Sequence, residues 1–570
     1  MRSLLLASLV LLSCATPQAE VKPEPIPPPL EQPVIPKANL PLPPGLDEVS
    51  MDPSADPCSD FYQFACGNWM KTVEIPADRE ITSRGFVAIA ERNEQILKAI
   101  LEEAAEGKLP EGTAFAAKLG DYYASCIDES KLEGSVAELL AFSKKLTAPK
   151  NTKELAQMAG ALHASGITPL FKGGAEQDLK NSSEVICGLE QGGLGLPDRD
   201  YYVQDNAKMK GIREAYVAYV ENMFVLIGEK PPAAKKAAGL VMELETRLAK
   251  ASQTKVERRD PNTQYNRIDR KGLKEKAPNF QWDVYFDAIG AKDVQAINVN
   301  HIPYFVEISA VAKDAKPDAW KAYLTWAVIR AMIPALPKKM QDANFEYSSK
   351  NFTGAKADRP RWKKCVAYTD GDLGEALGRE FVRRTFGEEG KKRTNAMVEA
   401  LQGSIKQNLE TITWMEAATK PAAFSKLERM VKNNKIGYPD VWRDYASIKT
   451  DRGSFFNNSL EASRFEVKRQ WAKIGKPVDH TEWQMSASTV NAYNDSQKNE
   501  IVFPAGILQP PFFNREATDA VNFGSMGMVV GHEITHGFDD QGRKFDLDGN
   551  LKDWWSEGSA KAFEARAECV

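Results

Sequence analysis

Apolar residues recur three and four positions apart along most of this chain. Ile89, Ile96, Leu97, Ile100 and Leu101 fall on one helical stripe, as do Tyr216, Tyr219, Met223 and Phe224. The same period runs from Asp318 to Leu336 and from Lys392 to Met415, and each stretch predicts an amphipathic helix with one buried face. The long middle of the chain therefore reads as an all-α region. Two-residue alternation is scarce, and the clearest strand candidate is Glu500-Ile501-Val502-Phe503, closed by Pro504-Ala505-Gly506. No internal repeat is visible, and no apolar run reaches the roughly 18 residues that cross a bilayer.

The one apolar candidate, Leu4 to Leu12, follows Arg2 and ends in Ser13-Cys14, the layout of an export signal. Leu11-Leu12-Ser13-Cys14 also resembles a bacterial lipobox. Residues 1–14 are accordingly read as a signal, with Cys14 the lipidated first residue of the mature chain. Residues 15–50, with Ile26-Pro27-Pro28-Pro29 and Leu42-Pro43-Pro44, read as an extended tether. Ala15 after the cysteine favours the outer membrane, so the expectation is an exported, lipid-anchored protein of the bacterial cell envelope. The remaining cysteines, Cys58, Cys66, Cys126, Cys187, Cys365 and Cys569, are an even set in an oxidising compartment, which predicts disulfides. None has metal-ligand spacing. A length of 570 residues exceeds one ordinary core and predicts two or more domains. A net charge of -4, with both signs interspersed, gives no footprint for nucleic acid or for a polybasic membrane contact.

Histidine is scarce, five in all, and two flank a glutamate in Val530-Gly531-His532-Glu533-Ile534-Thr535-His536-Gly537-Phe538-Asp539-Asp540. Positions i and i+4 of a helix share a face, so His532 and His536 can reach one zinc while Glu533 stands beside the water that the metal acidifies. Glu533 is then the general base, taking the water's proton and passing it to the leaving amine. A carboxylate one turn after His536 can hold its other ring nitrogen; Asp539 is the first candidate and Asp540 the alternative. Asp539 and Gly542 stand where a metzincin carries Gly and a third His, which excludes that class. The third ligand must come from elsewhere; in gluzincins it is a Glu on a later helix. Asp546, Asp548, Asn550 and Glu557 fall at EF-hand positions, but Leu551 stands where that loop requires Gly, so Asp548-Gly549 is read as a turn.

Beyond that motif, four segments can be compared with known proteins: Pro57-Cys58-Ser59-Asp60-Phe61-Tyr62-Gln63-Phe64-Ala65-Cys66-Gly67-Asn68-Trp69; Gly193-Leu194-Gly195-Leu196-Pro197-Asp198-Arg199-Asp200-Tyr201-Tyr202; Glu257-Arg258-Arg259-Asp260-Pro261; and Val490-Asn491-Ala492-Tyr493, followed by Asn499 to Phe513. From Asp52 to Val570 the chain resembles the neprilysin and endothelin-converting-enzyme family of zinc metallopeptidases. The resemblance implies a mainly α fold with a small β component: a thermolysin-like zinc-peptidase domain and a large helical domain enclosing a cavity that admits short peptides and excludes folded proteins. It implies a segment 51–95 packing with the catalytic domain, a helical domain at 96–440 and a catalytic domain at 441–570. It also implies one Zn2+ per chain, Asn491 and Ala492 on an edge strand that binds the substrate backbone, and a Cys126 to Cys365 disulfide.

Departures from the family accompany these expectations. Asn494 stands where the family usually has a second aromatic. The family's third ligand, in a Glu-Asn-x-x-Asp motif, and a later His and Arg are absent, as are the expected partners of Cys58, Cys66 and Cys569; the sequence is therefore read as truncated. Cys187 is read as a buried free thiol, and Arg79 and Arg84 as solvated charges. The functional expectation is a zinc-dependent endopeptidase hydrolysing short peptides. The alternative is a non-catalytic cell-envelope lipoprotein that retains a peptide-binding cavity.

Overall fold

The apolar stripes become buried helix faces in a computed structural model that describes residues 48–144 and 146–568. Cys14, the signal, the tether up to residue 47 and Cys569 lie outside the described residues. Helix Phe86–Ala105 buries Ile89, Ile96, Leu97, Ile100 and Leu101, and helix Ala207–Leu226 buries Tyr216, Tyr219, Met223 and Phe224. The stretch from Asp318 forms helix Pro317–Met332, which starts on a proline whose missing N–H costs nothing there, and the stretch from Lys392 lies in helix Glu388–Thr411. Cys126 on helix Ala116–Ile127 is bonded to Cys365 on helix Arg361–Thr385. Both cysteines are fully buried, so the bond fastens two helices inside the core. Cys187 is a buried free thiol, and Cys58 and Cys66 have no disulfide partner among the described residues.

The middle of the chain is not all-α. It carries a four-stranded sheet built from β1 (Phe171–Gln177), β2 (Val185–Gln191), β3 (Arg267–Ile268) and β4 (Ile297–Val299), in the order β1-β2-β4-β3. Periodicity misses these strands for physical reasons. β3 and β4 are too short to show alternation, and β1 and β2 place Gly173, Gly174 and Gly188 at central positions. A second sheet joins β5 (Lys435–Gly437), β6 (Tyr493–Asp495) and β7 (Glu500–Pro504) in the order β5-β7-β6. β7 is the strand read from Glu500 to Phe503, and all five of its residues are buried. β6 pairs antiparallel with it, Asn494 opposite Ile501, and forms an edge.

Two large apolar cores organise the helices. The first begins at Ile96 and takes in most of the helical region; the second holds Ile89, residues 397–436 and residues 492–555. Along the chain, 397–436 enter the second core, 438–487 return to the first, and most of 492–555 enters the second again. Residues 86–93 sit on the second core's loops: Phe86 meets Phe512 edge-on at 4.9 Å, and the buried amide of Asn93 donates to the carbonyls of Ser488 and Gly506. Arg79 is not a solvated charge; it is largely buried and paired with Glu91 and Glu94 at 3.0 and 3.3 Å. A cavity of about 820 Å3 lies between the two sheets, lined by Glu176, Asp372, Arg469, Glu482, Asp495 and Lys498 among others.

Candidate zinc site

Helix Asp519–His536 carries the motif because its period puts Asn522, Met526, Val529, Val530, Glu533 and Ile534 on the face turned into the second core. The opposite face then presents His532 to solvent and leaves His536 half-buried. At the helix start, Asn522 holds the preceding loop by accepting from the N–H of Asn514 and donating to its carbonyl, both at 2.9 Å.

The Nε2 atoms of His532 and His536 lie 3.0 Å apart. Nδ1 of His536 meets Asp539 Oδ2 at 2.8 Å, while Asp539 Oδ1 accepts from the N–H groups of Gln541 and Gly542. The carboxylate is thus fixed by the turn that follows the helix. A proton on Nδ1 shared with this carboxylate would leave Nε2 of His536 as a bare lone pair, the form that binds a metal. Asp540 does something else: both its oxygens accept from Arg259 at 3.0 Å. That ion pair, with Lys544 to Asp260 at 2.9 Å, ties the Glu257-Arg258-Arg259-Asp260-Pro261 segment to the end of the motif.

The two histidines fit zinc as two corners of a tetrahedral shell, since imidazoles on one tetrahedral zinc bring their nitrogens to roughly 3.3 Å of each other. Among the described residues, no group of three or more His, Cys, Asp or Glu side chains is arranged to hold a metal ion. Asp539→Ala is expected to weaken zinc binding roughly 10- to 100-fold. Competition against a chromogenic chelator measures this, and affinity unchanged from the parent would remove Asp539 from the assignment.

Glu533 is 5 % exposed. Burial raises its carboxyl above the ordinary range, while the neighbouring His536 and the main-chain N–H of Asn494 favour its charged form. Asn491 and Ala492 were expected on the edge strand; they lie directly before β6, with Ala492 buried and Asn491 exposed. Asn491 Oδ1 is turned onto the N–H of Ala492 at 2.9 Å. The Asp548-Gly549 turn is present: Asp546 Oδ1 accepts from the N–H groups of Asp548 and Asn550, and Gly549 has φ +83°.

Two residues of the site were given no role in it by the sequence. Lys426, fully buried, donates to the carbonyls of Gly542 and Phe545 at 2.7 Å each, and so anchors the turn that fixes Asp539. Asn494 donates from Nδ2 to the carbonyl of Glu533 at 3.0 Å.

Residues 57–439 match the N-terminal part, and residues 491–570 the C-terminal part, of the family described as Peptidase family M13. The chain belongs to peptidase family M13. It is 32% identical over 545 residues to endothelin-converting enzyme 1 of Rattus norvegicus, covering 91% of this chain and 70% of that protein. The Mycobacterium tuberculosis zinc metalloprotease Zmp1 in complex with inhibitor superposes with a TM-score of 0.87 at 33% identity, over 93% of this chain and 80% of that one. The same metalloprotease in its open state gives 0.75 at 33% identity, over 90% and 80%. The M13 chain described here is therefore closer to the inhibitor-bound arrangement. M13 members are zinc metalloendopeptidases, and membership places this chain among them. No helix among the described residues is long and apolar enough to cross a membrane.

Proposed function

We propose that this M13 chain hydrolyses short peptides with Glu533 as general base and with His532 and His536 as ligands of one zinc. The observation that carries the reading is the pair of Nε2 atoms 3.0 Å apart beside a buried glutamate on the same helix. Zinc, when bound, polarises the scissile carbonyl and lets water lose a proton near neutral pH. Glu533 takes that proton on its carboxylate and delivers it to the leaving nitrogen, and its burial suits it to do both by raising its proton affinity. Asp539 keeps His536 in the ligating tautomer. Asn491 and Ala492, at the start of an edge strand, offer main-chain and amide groups to an extended peptide, whose backbone would add to β6 whatever its side chains.

The cavity of about 820 Å3 between the sheets reaches β6 at Asp495 and is lined by none of His532, Glu533, His536, Asn491 or Ala492, so the peptide reading rests on the edge strand rather than on that cavity. The second core, with Ile89 and residues 397–436 and 492–555, is proposed as the peptidase unit. A lipid on Cys14 and a tether over 15–50 would hold the enzyme at the outer membrane of a bacterial envelope.

One observation favours the second reading, a non-catalytic peptide-binding lipoprotein: no third ligand joins His532 and His536 among the described residues. Zinc content of the purified 570-residue chain, with cleavage of a quenched fluorescent peptide before and after chelation, separates the two. One zinc per chain and cleavage lost on chelation and regained with zinc is the expected result. A metal-free chain that binds peptide without cleaving it overturns the peptidase reading in favour of the second.

A further inference from the structure

The last turn of the motif helix is tighter than the rest. The N–H of Gly537, which an unbroken α-helix would direct to the carbonyl of Glu533, goes instead to Ile534 at 3.1 Å, and the N–H of Phe538 goes to Thr535 at 2.9 Å. The carbonyl of Glu533 is thereby one of the acceptors that helix ends leave without an intrahelical donor. It is buried beneath β6, where an unmade hydrogen bond is costly. The donor it finds is the side-chain amide of Asn494, with Nδ2 at 3.0 Å.

We propose that Asn494 is a positioning residue for the peptidase site: by capping the carbonyl of Glu533 it sets the tightened last turn, on which the base and His536 are placed. The inference rests on the roles given above to Glu533 and His536. Three further contacts fix the amide with its donor side toward the helix. Its Oδ1 accepts from Ser496 Oγ at 3.1 Å, its Nδ2 also approaches the weakly accepting sulfur of Met430 at 3.7 Å, and Asn494 itself is held opposite Ile501 by the β6 to β7 pairing. Gly537 completes the arrangement. The Met430 side chain lies against Gly537, where a Cβ would come within 2.2 Å of its terminal methyl and push it aside. Without the amide donor, the N–H of Gly537 is the donor that an unbroken α-helix would supply to Glu533. Taking that bond would add an α-helical step and rotate His536, and the turn bearing Asp539, away from His532. Asn494 thus links the strand proposed to hold the peptide backbone to the group proposed to activate water.

The test uses the full chain with Asn494→Asp, which keeps the shape and removes the donor, and Asn494→Leu, which removes all polarity. In metal-free protein, amide exchange measured by mass spectrometry over residues 530–545 should rise in both variants, with helix Ala207–Leu226 unchanged. Zinc affinity by chelator competition should fall roughly ten-fold or more. With a quenched fluorescent peptide, kcat should fall roughly ten-fold or more while KM stays within about two-fold, a split that general loosening of the fold would not give. Unchanged exchange over 530–545 overturns the cap. Raised exchange with unchanged zinc affinity and kcat overturns the positioning role. A parent chain without turnover counts against the peptidase reading, and the exchange and zinc measurements then still decide the role of Asn494.

Discussion

A Glu533→Gln chain is expected to bind zinc as the parent does and to cleave peptide at roughly one-thousandth of the parent rate or less. Glutamine keeps the size of the side chain and its place in the buried face of helix Asp519–His536, but its amide cannot take a proton from water. General-base assistance is worth roughly 10²- to 10⁴-fold, and the higher part of that range applies because the same carboxylate must return the proton to the departing nitrogen. Metal content by atomic absorption and kcat by fluorescence report the two halves separately. Turnover within ten-fold of the parent would end the assignment of Glu533, and lost zinc would mean that the residue holds the site rather than working in it.

The largest stability effect is expected from Lys426→Met. Lys426 is 0 % exposed, lies 5.7 Å from the rings of Phe538 and Trp554, and supplies donors to two buried carbonyls. Methionine fills similar space and supplies none. Each buried acceptor left short costs about 1–3 kcal/mol, offset in part because burying a charged amine is itself unfavourable; a net loss of about 2–4 kcal/mol is expected. The pH dependence has a definite sign. Burial pushes the Lys426 amine down to about 7, whereas in the unfolded chain it titrates near 10.4. Between those values the unfolded state binds more protons than the folded one, so this group's contribution to stability rises with pH and levels off above about 10. The gap in melting temperature between parent and variant should therefore widen from pH 7 to pH 10. A constant gap would show that Lys426 is not a depressed amine, and no gap would show that the two carbonyls find other donors.

The parts of this structure legible in the sequence are those where one local rule decides. Helix faces such as Ile96, Leu97, Ile100 and Leu101 follow from a period, and β7 from a run of β-branched and aromatic residues closed by Pro504-Ala505-Gly506. His532, Glu533 and His536 are brought together by a single helix, so spacing alone suffices. The β1 to β4 sheet was illegible because its strands show no alternation of their own, and because its β2 to β4 pairing joins residues more than a hundred apart, such as Cys187 and Ile297. Lys426 and Asn494 failed for a related reason. A lysine on an amphipathic helix and an asparagine in a short strand have ordinary local readings, and only the distant carbonyls of Gly542, Phe545 and Glu533 give them work. Asn494 was visible as a departure from the family, but a departure names no partner. Asp539 was the first candidate in sequence and Asp540 the alternative; the structure places Asp539 on His536 and Asp540 on Arg259, a residue of a distant element.

The path of the chain between its two cores bears on how such a protein can be inherited. Ile89, residues 397–436 and residues 492–555 build one core, and 438–487 are spliced between them into the other. A gene segment beginning after codon 440 would encode the histidine motif without helix Lys420–Lys432, and so without Lys426 beneath the Asp539 turn or Met430 against Gly537. Recombination at that point would hand on the recognisable signature and leave behind the residues that hold it in place. The core that carries the histidine motif is therefore not one continuous cassette: its segments are interrupted by residues 438–487, which pack into the other core.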